Sequence, residues 1–592
     1  MTSHLTKLSL SFFAAFNFSA IADVKVHIDL MEAEHHYAHV KLDLPDTDQE
    51  FIDLKLPTWR TGRYEILNLA NGIREFSVND DDLHWQKIDK DTWRISGDLS
   101  DGLEVAYQVY ANQLAYRSRH VDDSHAFIDA SSVVMYTDET RDDKHIIQLK
   151  VPKKWRSVSG LKSGRKKHQF IASDYDVLVD SPIETGVNSF HEFRVDGRDY
   201  ELVIWGKGNY NEAQMVKDLK ALVAQGDTIW SDYPFSRYVF MVHATTGVRG
   251  ATEHLNSTII QRDRYTFNTR KDYLSFLATA AHEFVHTWNV KQYRPQGLVP
   301  YNYQSENYSN LLWLAEGSTS YLQYQLLMRG EIMTAKEWME HLSGRVNSYM
   351  RKPGRDSQSI AEASFDKWIS ESGDYSTNHS VSIYSEGFLV SWMLDIDILD
   401  TTGMEKSYRD VHQALYEKHS IPKTFDDKDV RTILRGITGK DYQAFWQKNI
   451  DGHAKPDFDE LLAKVGLKIS YGKSDKTKSW TGIKTKPHDN GLIISAVEKN
   501  SPGWKAGLTT DDIIIAVDGL RMKDKDLTKR LANFSPEDNV EFTVFRRDVL
   551  TKKKVTLGAL PAGKLKIVPI KEASDQQKSM FKSWTGLSLP EA

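Results

Sequence analysis

Apolar and polar residues alternate along the first third of the chain. Val24-Lys25-Val26-His27-Ile28-Asp29-Leu30 and Ala38-His39-Val40-Lys41-Leu42-Asp43-Leu44 alternate strictly, and Leu103 to Tyr107 and Ile146 to Val151 add shorter runs. A period of two, broken by Pro, Gly and Asp, predicts an antiparallel β domain with one solvated face over residues 23–200. Near Tyr210 the period lengthens. Met215, Leu219, Leu222 and Val223 recur at helical spacing, and Arg237 to Ala244 reads as a buried strand. From Lys271 to about Val465 helical periodicity dominates, in Leu274 to Lys291, Asn310 to Met328 and Ile383 to Leu399, so a second domain is expected over 201–470. The polar, lysine-rich stretch Gly472 to Ser479 predicts a linker. Short strands return in a third domain over 471–560, and 561–592 reads as a charged tail.

A length of 592 residues fits three or four domains, and 40% hydrophobic with 27% charged residues is an ordinary globular balance. The net charge of −6 gives no general attraction to nucleic acid, and no nucleic-acid partner is expected. The chain has no cysteine, which excludes disulfides, thiolate metal ligands and cysteine nucleophiles. At the N-terminus, Lys7 precedes the apolar run Leu8 to Phe18, and Ala20-Ile21-Ala22 follows with the small-x-small pattern of a cleavage site. Residues 1–22 are therefore expected to be a signal peptide that exports the chain across the inner membrane to the periplasm. No later segment reaches the roughly 18 apolar residues that span a bilayer.

The chemistry concentrates in His282-Glu283-Phe284-Val285-His286, set in the apolar, alanine-containing run Leu274 to Ala281. Four residues of helix turn through about 400°, so His282 and His286 project from one face, a turn apart. Two neutral imidazoles so placed suit one Zn²⁺, with Glu283 beside them to take a proton from activated water. A third ligand is needed. Glu316, in Leu312-Trp313-Leu314-Ala315-Glu316-Gly317, is an acid in apolar company, where an ionised carboxylate is costly unless it is paired or bound to metal. It would complete a His₂Glu set, which favours zinc, one ion per chain.

These helices resemble the gluzincin metallopeptidases. The strings His286-Thr287-Trp288-Asn289-Val290-Lys291, Arg294-Pro295 and Leu312-Trp313 to Tyr321 are similar to the PDZ-containing glycyl aminopeptidase family. So are Pro57-Thr58-Trp59-Arg60-Thr61-Gly62-Arg63-Tyr64, with Thr61 where the family has proline, and Asp180-Ser181-Pro182-Ile183-Glu184-Thr185-Gly186. The resemblance implies a thermolysin-like α/β-plus-helical catalytic domain between the β domain and a PDZ domain. It also implies that Glu253, in Gly250-Ala251-Thr252-Glu253-His254, binds the substrate's α-ammonium. Tyr384, in Ile383-Tyr384-Ser385-Glu386-Gly387, would hydrogen-bond the oxyanion, with Glu386 where relatives carry lysine. Asn289 and Lys291 match the pattern without an assigned role. Gly491 to Val497, Ser501 to Leu508 and Asp511 to Gly519 resemble a PDZ domain of the bacterial protease type. Such a domain takes a peptide C-terminus or an extended strand beside a loop near Trp480 to Ile483.

The expected activity is release of small N-terminal residues, glycine or alanine by the resemblance, from peptides with a free N-terminus. Two alternatives stand beside it. One is an endopeptidase of the same fold, which unlike an aminopeptidase would cut an N-acetylated peptide. The other is a PDZ-bearing binding protein with a vestigial peptidase, which the intact His282, Glu283, His286 and Glu316 count against.

Overall fold

The computed structural model describes residues 23–472, 477–522, 527–560 and 564–592. The expected signal peptide lies outside them, as does part of the expected linker. The first domain is built on a seven-stranded sheet in which Val24–Asp29, Tyr37–Leu44 and Leu103–Tyr110 are neighbours. Burial alternates residue by residue along each, because the pleat turns every second side chain to the core. One pair departs from the antiparallel expectation: Val24–Asp29 runs parallel to His145–Lys150. A four-stranded sheet contains Arg156–Ser159, Ile183–Gly186, His125–Ile128 and Arg119–Val121.

The chain enters the catalytic sheet at Ser189–Val195, before residue 200. This five-stranded sheet runs Ser189–Val195, Arg198–Trp205, Arg237–Thr245, Ser257–Asp263 and Gly250–Glu253. Its three central strands are parallel, and the edge strand Gly250–Glu253 is antiparallel to its neighbour. Arg237–Thr245 is buried almost throughout, as its continuous apolar run requires. The helix Arg270–His286 packs against this sheet. Thr269 caps it by accepting from the Asp272 amide, and Phe276, Leu277, Ala280, Ala281, Phe284 and Val285 are buried. One hydrophobic core runs through the β domain and the catalytic domain, whereas the PDZ domain closes its own around Leu492, Ile494, Ile514, Val517, Phe542 and Val544. Among the described residues no helix is long and apolar enough to cross a membrane.

The segment expected as a charged tail folds back. Leu565–Pro569 pairs with Leu467–Tyr471, so the chain enters and leaves the PDZ domain through one antiparallel ribbon. The helix Asp575–Thr585 follows, started by a capping box between Ser574 and Gln577. Trp584 on this helix is buried, stacks near Trp392 with 5.9 Å between centroids, and donates to the Tyr321 hydroxyl at 2.6 Å. Its exposed face is rich in lysine, which is what made the segment read as a tail. Trp584→Ala is expected to cost about 3–5 kcal/mol, the usual range for emptying a buried aromatic site. Chemical denaturation of the catalytic unit measures it, and an unchanged midpoint would show that this helix only rests on the surface.

Candidate active site

His282 and His286 sit at the C-terminal end of the helix Arg270–His286, and their Nε2 atoms are 3.1 Å apart. Glu316 Oε2 completes a triangle, 3.5 Å from His282 Nε2 and 3.3 Å from His286 Nε2. Glu316 lies on a π-helical turn, Trp313–Ser318, that runs on into the α-helix Thr319–Arg329. Such widened turns often mark functional positions.

A second layer holds the three side chains. His282 Nδ1 is 2.8 Å from Gln323 Oε1, and His286 Nδ1 is 3.0 Å from the Asn289 carbonyl. Each Nδ1 is therefore the donor nitrogen, and each Nε2 turns a lone pair inward. Tyr64, from the β domain, donates to Glu316 Oε1 at 2.8 Å. Asn289 Nδ2 donates to the carbonyls of Leu314 and Ala315 and to Thr319 Oγ1, strapping the histidine helix to the π turn.

The helix Ile383–Thr401 brings Tyr384 to the same place, with its ring centroid 6.1 Å from that of His282. Two glycines permit this approach. A Cβ on Gly317 would collide with the Gly387 backbone, so the two helices cross at backbone contact. Glu386 does not face the cleft as a lysine substitute. It is buried and accepts from the Ser382 amide at 3.0 Å, serving its own helix N-terminus.

Glu253 ends the edge strand Gly250–Glu253 and is buried at 6% exposure. Glu253, Glu283 and His286 each offer a ligand atom within 4.8 Å of the others. Gly62 of the β domain, at φ +73°, stands against this carboxylate: a Cβ there would lie 2.6 Å from Glu253 Oε2. Burial pushes the Glu283 carboxyl up to about 8. His282 opposes the rise, while Glu253 and Glu316 add to it. Tyr384 keeps 37% of its surface exposed; burial of the rest, then Glu316 and Glu253, raise its hydroxyl. Burial opposes ionisation of Glu316, but positive charge at the histidine pair holds it well below the usual carboxylate range. A cleft of about 850 Å³ opens over these groups, lined by Gly250, Ala251, Ala278, His282, Glu283 and Tyr384 among others.

Four of the sequence strings meet at one buried ion pair. Lys291 Nζ lies 2.7 Å from Asp180 Oδ1, both out of solvent. Thr61 Oγ1 donates to the same oxygen at 3.1 Å, and His254 Nδ1 is 3.3 Å away. Burial opposes both charges, yet Lys291 is raised by Asp180, and Asp180 is lowered chiefly by Lys291. The pair therefore joins the β domain, the edge-strand end and the segment after the histidine helix. Thr61 does there what proline, without a hydroxyl, could not.

Sequence reasoning reached His282, Glu283, His286, Glu316, Tyr384 and Glu253; the fold brings them close together, with His282, Glu283 and Tyr384 lining the cleft. It missed Tyr64 and Gln323. Gln323 stands seven residues after Glu316, on the same helical face, which was a usable signal. Tyr64 is separated from Glu316 by 252 positions and lay within a quoted string without a role.

Residues 25–187 match the Peptidase M61 N-terminal domain, 275–390 the M61 glycyl aminopeptidase, and 481–557 the PDZ domain. The crystal structure of an aminopeptidase N family protein from Idiomarina loihiensis superposes with a TM-score of 0.88 at 25% identity, covering 95% of this chain and 100% of that one. An M1 zinc metallopeptidase from Deinococcus radiodurans gives a TM-score of 0.46 at 12% identity, over 73% of this chain and 94% of that one. Among curated proteins, a probable periplasmic serine endoprotease DegP-like from Brucella suis biovar 1 is 28% identical over 124 residues, 19% of this chain and 22% of its own length. The chain thus spans about a fifth of the curated relatives it matches, and that likeness comes through the PDZ domain. With the two M61 matches in order and the PDZ match behind them, the chain belongs to the M61 glycyl aminopeptidase family, with a PDZ domain following.

Proposed function

We propose that the chain is an exported aminopeptidase that removes glycine or alanine from unblocked peptides, with one catalytic zinc ion on His282, His286 and Glu316. The observation that carries this reading is the convergence of Glu253 on Glu283 and the histidine pair, all within one buried volume. The donor set fits the ion. Two imidazole nitrogens 3.1 Å apart face a carboxylate, and with each Nδ1 donating outward, neutral rings would set two lone pairs against each other. A cation removes that repulsion. When bound, zinc polarises the scissile carbonyl and acidifies the attacking water.

The chain's own residues do the rest. Glu283 accepts the proton of the attacking water and passes it to the leaving amine. The Tyr384 hydroxyl donates to the oxygen on which negative charge develops. Glu253 pairs with the substrate's α-ammonium, and Gly62, having no side chain, leaves room for both of its carboxylate oxygens. The metal ion and a neighbouring ammonium both favour the ionised form of Glu283, offsetting the rise that burial causes. Small P1 residues follow from the family's description as a glycyl aminopeptidase. Export rests on the pattern over residues 1–22; the first strand starts at Val24, just past the expected cleavage point. In the PDZ domain, Ile483–His488 is the edge strand of its sheet and would pair with an extended peptide.

Glu316→Ala is expected to lower the zinc content by one equivalent per chain and abolish turnover. Glu283→Gln should keep the metal and lower kcat by at least roughly 10²-fold. Metal analysis and steady-state kinetics on alanyl-p-nitroanilide check both, and a near-normal kcat for Glu283→Gln would remove it as base. Glu253→Gln should lower kcat/KM for free-amine peptides by at least roughly tenfold, because about 1.4 kcal/mol is one decade and losing a desolvated charge pair costs more. Its zinc content should be that of the wild type. Unchanged kcat/KM would mean that the ammonium is held elsewhere.

A further inference from the structure

A second group of histidines and acids lies where the β domain meets the catalytic sheet. His125 from His125–Ile128, Glu184 from Ile183–Gly186 and His243 from Arg237–Thr245 each place a donor atom within 4.8 Å of the others. Their exposures are 0%, 1% and 0%. His243 Nε2 lies 2.9 Å from Glu184 Oε2, and His125 Nδ1 lies 3.9 Å from Glu184 Oε1. The His125 and His243 ring centroids are 5.1 Å apart, against 4.7 Å for His282 and His286.

Hydrogen bonding within the protein leaves this group unfinished. Both ring nitrogens of His125 are buried without a hydrogen-bond partner, and so is Nδ1 of His243. A neutral imidazole carries one N–H, so His125 buries an unmet donor in either tautomer, and a charged ring there would be costlier still. Glu184 Oε1 is fixed by Asn188 Nδ2 at 2.8 Å, the kind of outer contact that orients a ligand. The neighbouring Asp122, by contrast, is fully engaged by His120 Nε2, Ser124 and the His125 amide.

We infer that His125, Glu184 and His243 hold a second, structural divalent cation, separate from the catalytic one. Two imidazoles and a carboxylate favour zinc. Tetrahedral zinc sets such donors about 3.3 Å apart, so with Glu184 offering one oxygen to each histidine, the 2.9 Å separation must open and the 3.9 Å separation close, each by roughly 0.5 Å. His120, whose Nδ1 is also buried and unpartnered and whose ring lies 5.1 Å from that of His125, is the nearest candidate for a fourth donor. The ion would rivet two strands of the β domain to Arg237–Thr245. That strand is joined through Ser257–Asp263 to the strand carrying Glu253.

The test is zinc counted per folded chain by plasma mass spectrometry, after refolding with zinc and removal of loose metal. Wild type should hold close to two equivalents. The His282→Ala/Glu316→Ala double variant should keep about one, and adding Glu184→Gln or His243→Gln should remove it. Cobalt in place of the retained zinc should give the visible bands of a low-symmetry, four-coordinate site. One equivalent or less in the wild type overturns the inference, whatever the variants do. So does a folded double variant without zinc, or zinc that survives both further substitutions.

Discussion

Three carboxylates, Glu253, Glu283 and Glu316, are buried around one small volume, and the burial of negative charge is the constraint on which the site depends. At 4.8 Å and an effective dielectric of 20, the repulsion between two of them is about 3.5 kcal/mol, before any desolvation is counted. Such a site rejects one charge by protonation unless cations are supplied. A metal ion at the histidine pair is one answer, and a substrate ammonium at Glu253 is the other. On this account exopeptidase selectivity and metal binding are two consequences of the same electrostatic arrangement. A blocked N-terminus would leave Glu253 buried without its partner.

Holding such charges in place requires a rigid frame, and the frame is assembled from distant parts of the chain. The β domain contributes Tyr64 to Glu316, the room for the Glu253 carboxylate at Gly62, and Thr61 and Asp180 to the Lys291 network. The continuous core between the β and catalytic domains is consistent with this division of labour. The PDZ domain has a core of its own, and it is attached by a two-stranded ribbon and by hydrogen bonds that Asp374 and Asn378 make to the backbone of Val497 and Lys499.

Much of the architecture was legible because local pattern and environment agree. Alternation over Val24–Asp29 and Tyr37–Leu44 reflects strands with one buried face, and the spacing of His282 and His286 is fixed by helix geometry alone. Glu316 was reachable because an acid among apolar residues needs a reason. The parallel pairing of Val24–Asp29 with His145–Lys150 was not legible, since pairing partners 121 residues apart leave no mark on either strand's own pattern. The helix Asp575–Thr585 was missed for a related reason. Its lysines point outward and hide a short apolar stripe of Met580, Phe581 and Trp584. The Gly317 and Gly387 contact, which sets Tyr384 over the site, is a property of two helices and not of either sequence string.

The most direct test of the electrostatic account is a paired measurement on the wild-type enzyme. The kcat/KM for a short glycyl or alanyl peptide is compared with that for its N-acetylated form at neutral pH. Cleavage of the free peptide should be chelator-sensitive and should fall at least about 10²-fold on acetylation, since a buried carboxylate left unpaired costs several kcal/mol. Equal rates on the two peptides would contradict it and make the enzyme an endopeptidase.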